Sequence, residues 1–146
     1  QAREQALSLL ARKEESRFLL RRKLLQRSYS EQAIVAALDY LQERGLLDDA
    51  RFAREWLRSR LRRRPEGERI LIARLRERGV SNLVATQALR DAIQNEPDLL
   101  LDAALRFLDK TDPAGQLERD DLRYRLRAAG FSSGAIAEAM EQWGSR

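Results

Sequence analysis

The sequence predicts an all-α fold of three tandem three-helix repeats that form an elongated, curved rod. The composition favours helix: it is rich in Ala, Leu, Arg and Glu, 6% aromatic, and has no run in which Val, Ile or Thr alternates with polar residues. The chain also matches itself, without a gap, when it is shifted by 51 residues. These two observations predict one repeat over each of residues 1–47, 48–97 and 98–146.

The repeat is clearest in one hexamer, which reads RERGVS at 76–81, RAAGFS at 127–132 and, more weakly, LQRSYS at 25–30. Apolar and serine positions coincide in all three copies: Leu20, Leu71 and Leu122; Leu24, Leu75 and Leu126; Ser30, Ser81 and Ser132. A unit of about fifty residues buries little core alone. Stacked units would bury each other's apolar edges, as repeat proteins do.

The second unit shows how each element is specified. Its first helix is expected over residues 49–64, because a proline follows. Its second is expected over residues 67–78 and ends at Gly79, which suits a left-handed C-cap. The third is expected over residues 82–94, with Ser81 as the N-cap, whose hydroxyl oxygen accepts a hydrogen bond from a free backbone N–H. The hexamer is therefore a corner between two helices.

The other units follow the same plan with small changes. Ser28 replaces glycine in the first corner, so we expect a looser turn there. Ser16, Ser30 and Ser132 are expected to cap helices, like Ser81. Three acidic pairs near predicted helix starts are expected to act as caps and to complement the helix dipole rather than to bind Mg²⁺: Glu14-Glu15, Asp48-Asp49 and Asp120-Asp121.

The composition argues against an enzyme. The sequence contains no His and no Cys, and its seven glycines form no phosphate-binding loop. We therefore expect no catalytic residue, no metal and no cofactor. The lack of Cys fits a reducing compartment, so we expect a cytoplasmic protein. We expect no membrane partner, because no apolar stretch approaches the length of about 18 residues that a spanning helix needs. The chain begins at Gln1 without a methionine, so we expect residues to precede it.

Positive charge is concentrated in the first two units. The net charge is +5, from 28 basic and 23 acidic residues, and divides as +3, +4 and −2 over the three units. Such polarity suits contact with a nucleic-acid backbone or an acidic protein surface, although a solvated face with ordinary helical ion pairs would show the same residues. The candidate binding residues are Arg12, Lys13, Arg17, Arg21, Arg22, Lys23, Arg58, Arg62, Arg63, Arg64, Arg69 and Arg76.

A DNA-reading helix-turn-helix is the obvious alternative for the corner. In that motif, the helix after the turn enters the major groove. The corresponding helices here are acidic or neutral: SEQAIVAALDYLQER carries three acids against one base, and SSGAIAEAMEQW carries two acids and no base. Phosphates would repel such helices, so we interpret the corner as packing architecture.

Three stretches resemble the RecX family of regulatory proteins: ALSLLARKEESRFLLRRKLLQR at 6–27, GLLDDARFAREWLRSR at 45–60 and EGERILIARLRERGV at 66–80. The sequence departs from the family at Ser28-Tyr29, where glycine commonly closes the first corner, and at Glu14-Glu15-Ser16, an atypical spelling before Arg17. The resemblance extends over most of the chain, since RecX proteins are themselves built of tandem three-helix repeats.

The resemblance implies a non-enzymatic modulator of the RecA recombinase. RecX proteins bind the RecA–DNA filament in its groove and usually inhibit its ATPase, strand-exchange and coprotease activities, which limits recombination and the SOS response. The implied partners are the RecA filament and, weakly and non-specifically, single- and double-stranded DNA. A direct nucleic-acid-binding protein, such as a small repressor or an RNA adaptor, and a helical scaffold remain as alternatives.

Overall fold

The computed structural model describes residues 1–144, and every regular element in that range is an α-helix, which confirms the predicted fold class. The helices are α1 Ala2–Arg12, α2 Arg17–Gln26, α3 Glu31–Glu43, α4 Asp49–Arg63, α5 Glu68–Glu77, α6 Asn82–Asn95, α7 Leu99–Thr111, α8 Arg119–Ala128 and α9 Ser133–Gly144. No helix among these residues is long and apolar enough to cross a membrane.

The helix boundaries repeat with the period that the sequence predicts. The second helices of the three units begin at Arg17, Glu68 and Arg119, and both intervals equal the shift at which the sequence matches itself. The third helices begin at positions 31, 82 and 133, at the same interval. The first helices are less regular, because they begin at Ala2, Asp49 and Leu99, at intervals of 47 and 50 residues. The unit is therefore a structural repeat, most exact around its corner.

All three corners have the same backbone conformation. Gly79 and Gly130 adopt positive φ angles of 84° and 94°, and Ser28 adopts 66° although its side chain disfavours this region. The closing hydrogen bond from the amide of Tyr29 to the Leu24 carbonyl is 3.4 Å long, whereas its two counterparts are 3.1 Å. The looser turn predicted for the first corner thus takes the form of a longer hydrogen bond, and the backbone conformation of the turn is unchanged.

All four predicted serine caps form. The side chains of Ser16, Ser30, Ser81 and Ser132 each accept a hydrogen bond from the backbone N–H three residues later, at 3.1–3.2 Å. Asp48 caps α4 in the same way, and Asp120 and Asp121 lie in the first turn of α8. The expectation for Glu14 and Glu15 is wrong, because Ser16 caps α2 while both glutamates form ion pairs, with Arg51 and Lys23.

Within residues 1–144, the buried apolar residues form two cores rather than three. The first unit has its own core, built around Leu20, Leu24, Ile34, Leu38 and Leu41. The second and third units share one continuous core, in which leucines of α5 and α8 pack with the apolar faces of α4, α6, α7 and α9. The sequence repeat is therefore threefold, but the packing joins its last two copies.

The contacts between neighbouring units also repeat. The Ser16 hydroxyl donates to the Arg78 carbonyl at 2.6 Å, and at the equivalent place one repeat later the Gly67 amide donates to the Ala129 carbonyl at 2.9 Å. In both places, the start of a second helix sits on the corner of the next unit. Phe18 covers Gly79 so closely that a Cβ there would overlap its ring. One unit thus docks on the next by the same edge each time.

This end-to-end docking makes the molecule elongated. Its accessible surface is 8922 Å². A compact monomer of 16.9 kDa would expose about 7,700 Å², as the scaling of surface with mass requires. The excess, about 16%, agrees with a row of three units and not with a sphere.

Candidate interaction surfaces

The basic residues of the first unit are mostly engaged within the chain. Arg17 forms an ion pair with Asp39 at 2.8 Å and a hydrogen bond to Gln42. Arg21 pairs with Glu31, and Lys23 pairs with the buried Glu15. A carboxylate of the chain already compensates each of these three charges. The Lys23 pair is structural because Glu15 is 2% exposed, whereas the Arg21–Glu31 pair is 43% and 56% exposed and contributes little energy.

Arg12, Lys13 and Arg22 remain exposed in the first unit. Arg12 and Lys13 lie at the C-terminal end of α1, where a positive charge also complements the helix dipole. Arg22 projects away from the buried Leu20 and Leu24, and its guanidinium stands 5.9 Å from the centre of the Phe18 ring. These exposed residues can meet an anionic partner.

The end of α4 carries the most accessible basic stretch. Arg62, Arg63 and Arg64 are exposed, and their side chains make no ion pair with any residue in 1–144. Arg58 pairs only with Glu55, with both side chains 58% exposed, a geometry that contributes little energy. The neighbouring Leu57 and Leu61 are buried, so the arginines face outward as predicted.

A second group of arginines is built into the fold beside this stretch. Glu66 accepts from Arg60 at 2.6 Å and from Arg74 at 3.0 Å, and it is largely buried. Burial alone would raise the pKa of the Glu66 carboxyl, but the hydrogen bonds and charges of Arg60 and Arg74 outweigh it and lower the pKa. Trp56 lies between Arg60 and Arg78, with ring-centre distances of 5.7 and 5.0 Å.

Positive charges crowd around Arg78 and affect the pKa of its guanidinium. Burial, followed by the nearby charge of Arg60, lowers the pKa of its guanidinium from an already high value. Its side chain donates to the Arg74 carbonyl at 3.0 Å, and its own carbonyl receives the Ser16 hydroxyl. Arg60, Arg74 and Arg78 therefore stabilise the second unit and its joint with the first.

A cleft of about 390 Å³ opens between α4, the end of α6 and the start of α7. Arg58 and Arg62 line it, together with two arginines that the sequence analysis did not select, Arg54 and Arg106. Arg54 was recognisable, because it lies one helical turn before Arg58 on the same face. Arg106 was not, because it belongs to the acidic third unit and reaches the cleft only through the packing of α7.

Arg69 and Arg76 lie at a different place. They line a shallow depression between α5 and the corner of the third unit, next to Glu68 and Phe131. Arg69 donates to the Arg127 carbonyl at 3.0 Å, so it also helps to hold the third unit. The predicted residues of the second unit thus fall into two surfaces, one along α4 and one along α5.

The family models for the first and second three-helix domains of RecX match residues 2–41 and 48–89. The chain belongs to the RecX family. The regulatory protein RecX of Mycobacterium sp. (strain JLS) is 37% identical over 135 residues, which are 90% of this chain and 72% of that protein. The regulatory protein RecX of Chlorobium phaeobacteroides (strain BS1) is 33% identical over 137 residues, 94% of this chain and 89% of that protein.

Two crystal structures share the fold. RecX from Lactobacillus salivarius superposes with a TM-score of 0.84 and 18% identity, over 99% of this chain and 96% of that one. A second regulatory protein RecX superposes with a TM-score of 0.80 and 22% identity, over 96% of this chain and 70% of that one. The likeness covers the row of units as a whole, including the third.

Proposed function

We propose that this protein is a non-enzymatic regulator that binds the RecA–DNA filament in the cytoplasm. On binding, it inhibits the ATPase, strand-exchange and coprotease activities of RecA, and so limits recombination and the SOS response. The observation that carries this proposal is membership of the RecX family, shown over most of the chain. The elongated row of units supports it, because a long, narrow body suits the groove of a helical filament.

The exposed arginines of the first two units supply the contact with DNA in this proposal. Arg63 and Arg64 favour it most, because they are exposed and unpaired within the described part of the chain. Their guanidinium groups can bind phosphate oxygens bidentately without breaking an internal contact. The third unit, with its net charge of −2, contacts a different part of the filament, where the exposed Asp120 and Asp121 meet a basic surface.

The test compares two charge reversals of equal size. Arg63→Glu/Arg64→Glu alters the basic stretch, and Arg125→Glu/Arg127→Glu makes the same change in net charge on exposed positions of α8. The readout is inhibition of RecA ATPase on single-stranded DNA. We expect the α4 variant to need at least tenfold more protein for half-inhibition, and the α8 variant to inhibit at least as well as the parent chain, because it adds negative charge beside Asp120 and Asp121. Equal inhibition by the parent chain and both variants would remove the basic stretch from the mechanism.

A salt titration of DNA binding in the absence of RecA completes the test. Each phosphate contact contributes about 0.7 to the slope of log affinity against log salt for single strands. Arg63→Ala/Arg64→Ala should therefore lower the magnitude of the slope by about 1.4. Tight, sequence-selective binding without RecA would instead favour a direct nucleic-acid-binding protein. An absence of DNA binding at every salt concentration would favour a scaffold.

A further inference from the structure

The arginine-lined cleft between α4, α6 and α7 has features that contact with phosphates does not require. Arg54, Arg58 and Arg62 lie four residues apart, so they rise along one face of α4 in steps of about 6 Å. Arg106 faces them from α7. The cleft thus presents a regular row of cations on one wall and a single cation opposite.

Arg106 is fixed in position by the main chain. Its guanidinium donates to the carbonyls of Leu61 and Arg62, which belong to the last turn of α4. These bonds satisfy carbonyls that have no partner within the helix, and they leave the remaining N–H groups of Arg106 for a ligand. A cation held in this way loses little conformational freedom when it binds.

The rest of the lining argues against a nucleic acid in the cleft. Glu96 and Asp102 stand among the arginines, so the cleft lacks the unbroken positive surface that a nucleic-acid backbone favours, whereas single carboxylates can each meet one arginine. None of the lining residues is aromatic, so no side chain there can stack on a base. Leu61, Ala92 and Leu99 form an apolar floor, which calls for an apolar group from the ligand.

We propose that this cleft binds a helical segment of a partner protein that carries carboxylates four residues apart and an aliphatic side chain between them. Side chains at such spacing share one face of a helix and rise along it with the same pitch as the arginines of α4. The aliphatic group covers the apolar floor, in the manner of a helix that docks in a groove.

The chain itself shows how such a carboxylate is bound. Glu66 lies between Arg60 and Arg74 with donor–acceptor distances of 2.6 and 3.0 Å. Arg51 binds Glu14 of the preceding unit at 2.7 Å and also donates to two carbonyls, as Arg106 does. One arginine–carboxylate pair anchored on carbonyls, Arg51–Glu14, therefore already joins neighbouring units, and the cleft offers the same chemistry to another protein.

The experiment uses the full chain and a helical peptide of four to five turns with glutamates at four-residue spacing and one leucine. Because the sequence contains no cysteine, an Asn95→Cys variant can carry one environment-sensitive dye at the cleft. The dye should report saturable binding of the peptide, and a peptide with glutamine in place of glutamate should bind at least tenfold more weakly.

Matched variants locate the site. Arg54→Ala/Arg58→Ala should weaken peptide binding at least tenfold, whereas Arg63→Ala/Arg64→Ala, which removes the same charge outside the cleft, should change it less than twofold. Thermal melts show that each variant is folded. Equal binding of the glutamine peptide, or no saturation by the glutamate peptide at millimolar concentration, would overturn the proposal. So would an oligo-dT probe that binds more tightly than the peptide and is weakened by Arg54→Ala/Arg58→Ala.

Discussion

Substitution of Ser16 by alanine should destabilise the protein more than substitution of any other capping serine. The Ser16 hydroxyl accepts from the Leu19 amide at 3.1 Å and donates to the Arg78 carbonyl of the next unit at 2.6 Å, and the side chain is fully buried. Loss of the cap costs about 1 kcal/mol. Loss of the donor leaves a part-buried carbonyl unpaired, which costs about 1–2 kcal/mol more. The expected total is about 2–3 kcal/mol.

Ser30→Ala is the matched control. Ser30 caps α3 by the same bond to the amide three residues later, but it is exposed and its side chain makes no hydrogen bond to another unit in the described chain. It should cost only about 1 kcal/mol. With an unfolding entropy of about 2.1 cal/mol/K per residue, 146 residues give about 3 °C per kcal/mol. Ser16→Ala should lower the melting temperature by about 6–9 °C and Ser30→Ala by about 3 °C.

The assay is thermal unfolding followed by circular dichroism, with urea unfolding as an independent measure of the free energy. The difference between the two variants measures the hydrogen bond that joins the first two units. Equal losses of stability for Ser16→Ala and Ser30→Ala would show that this bond contributes nothing, and would refute the account of how the units are held together.

Two further predictions concern the second and third units. Gly130→Ala should cost at least about 2 kcal/mol more than Gly115→Ala in urea unfolding, because both have positive φ but only Gly130 faces a neighbour, with the Ile70 amide 2.8 Å from the new Cβ. Similar losses would mean that Ile70 moves aside at little cost. Glu66→Gln should lower stability at pH 7, and the loss should be smaller at pH 3, as followed by urea unfolding at both values. The folded pKa of Glu66 lies below its ordinary value of 4.5, so its contribution is present above that value and is lost as pH falls through the folded pKa. A loss of the same size at both pH values would show that the ionised carboxylate is not what stabilises the fold.

The local structure could be predicted from the sequence because its causes are local. Serine caps, a glycine or serine at positive φ and leucines four apart depend on neighbours within one or two turns, so the period of the sequence survives in the helix starts. The same reasoning predicted which side of α4 faces outward. It could not predict that the last two units share a core, because that depends on how whole helices pack.

The candidate surfaces were less predictable than the fold for the same reason. The partner of Arg51 lies 37 residues away, and the carbonyls that hold Arg106 lie 44 and 45 residues away. Counting charges along the chain cannot show which arginines are already paired. It therefore selected Arg17, Arg21 and Lys23, which the fold uses internally, and missed Arg54 and Arg106, which the fold brings to the cleft.

The repeated docking edge has a consequence for the two outer faces of the row. The docking edge joins two different faces, and such head-to-tail contacts have no symmetry that closes the assembly. Identical copies with matching ends would therefore add to one another and grow into fibres. The two outer faces differ from the inner, docked faces at the positions that would have to match for such growth. Ser28 carries a Cβ where Gly79 and Gly130 have none, and Asp121 replaces the apolar residue that Leu19 supplies at the first joint. A polar residue and an added Cβ at these two positions oppose the addition of another copy of this chain.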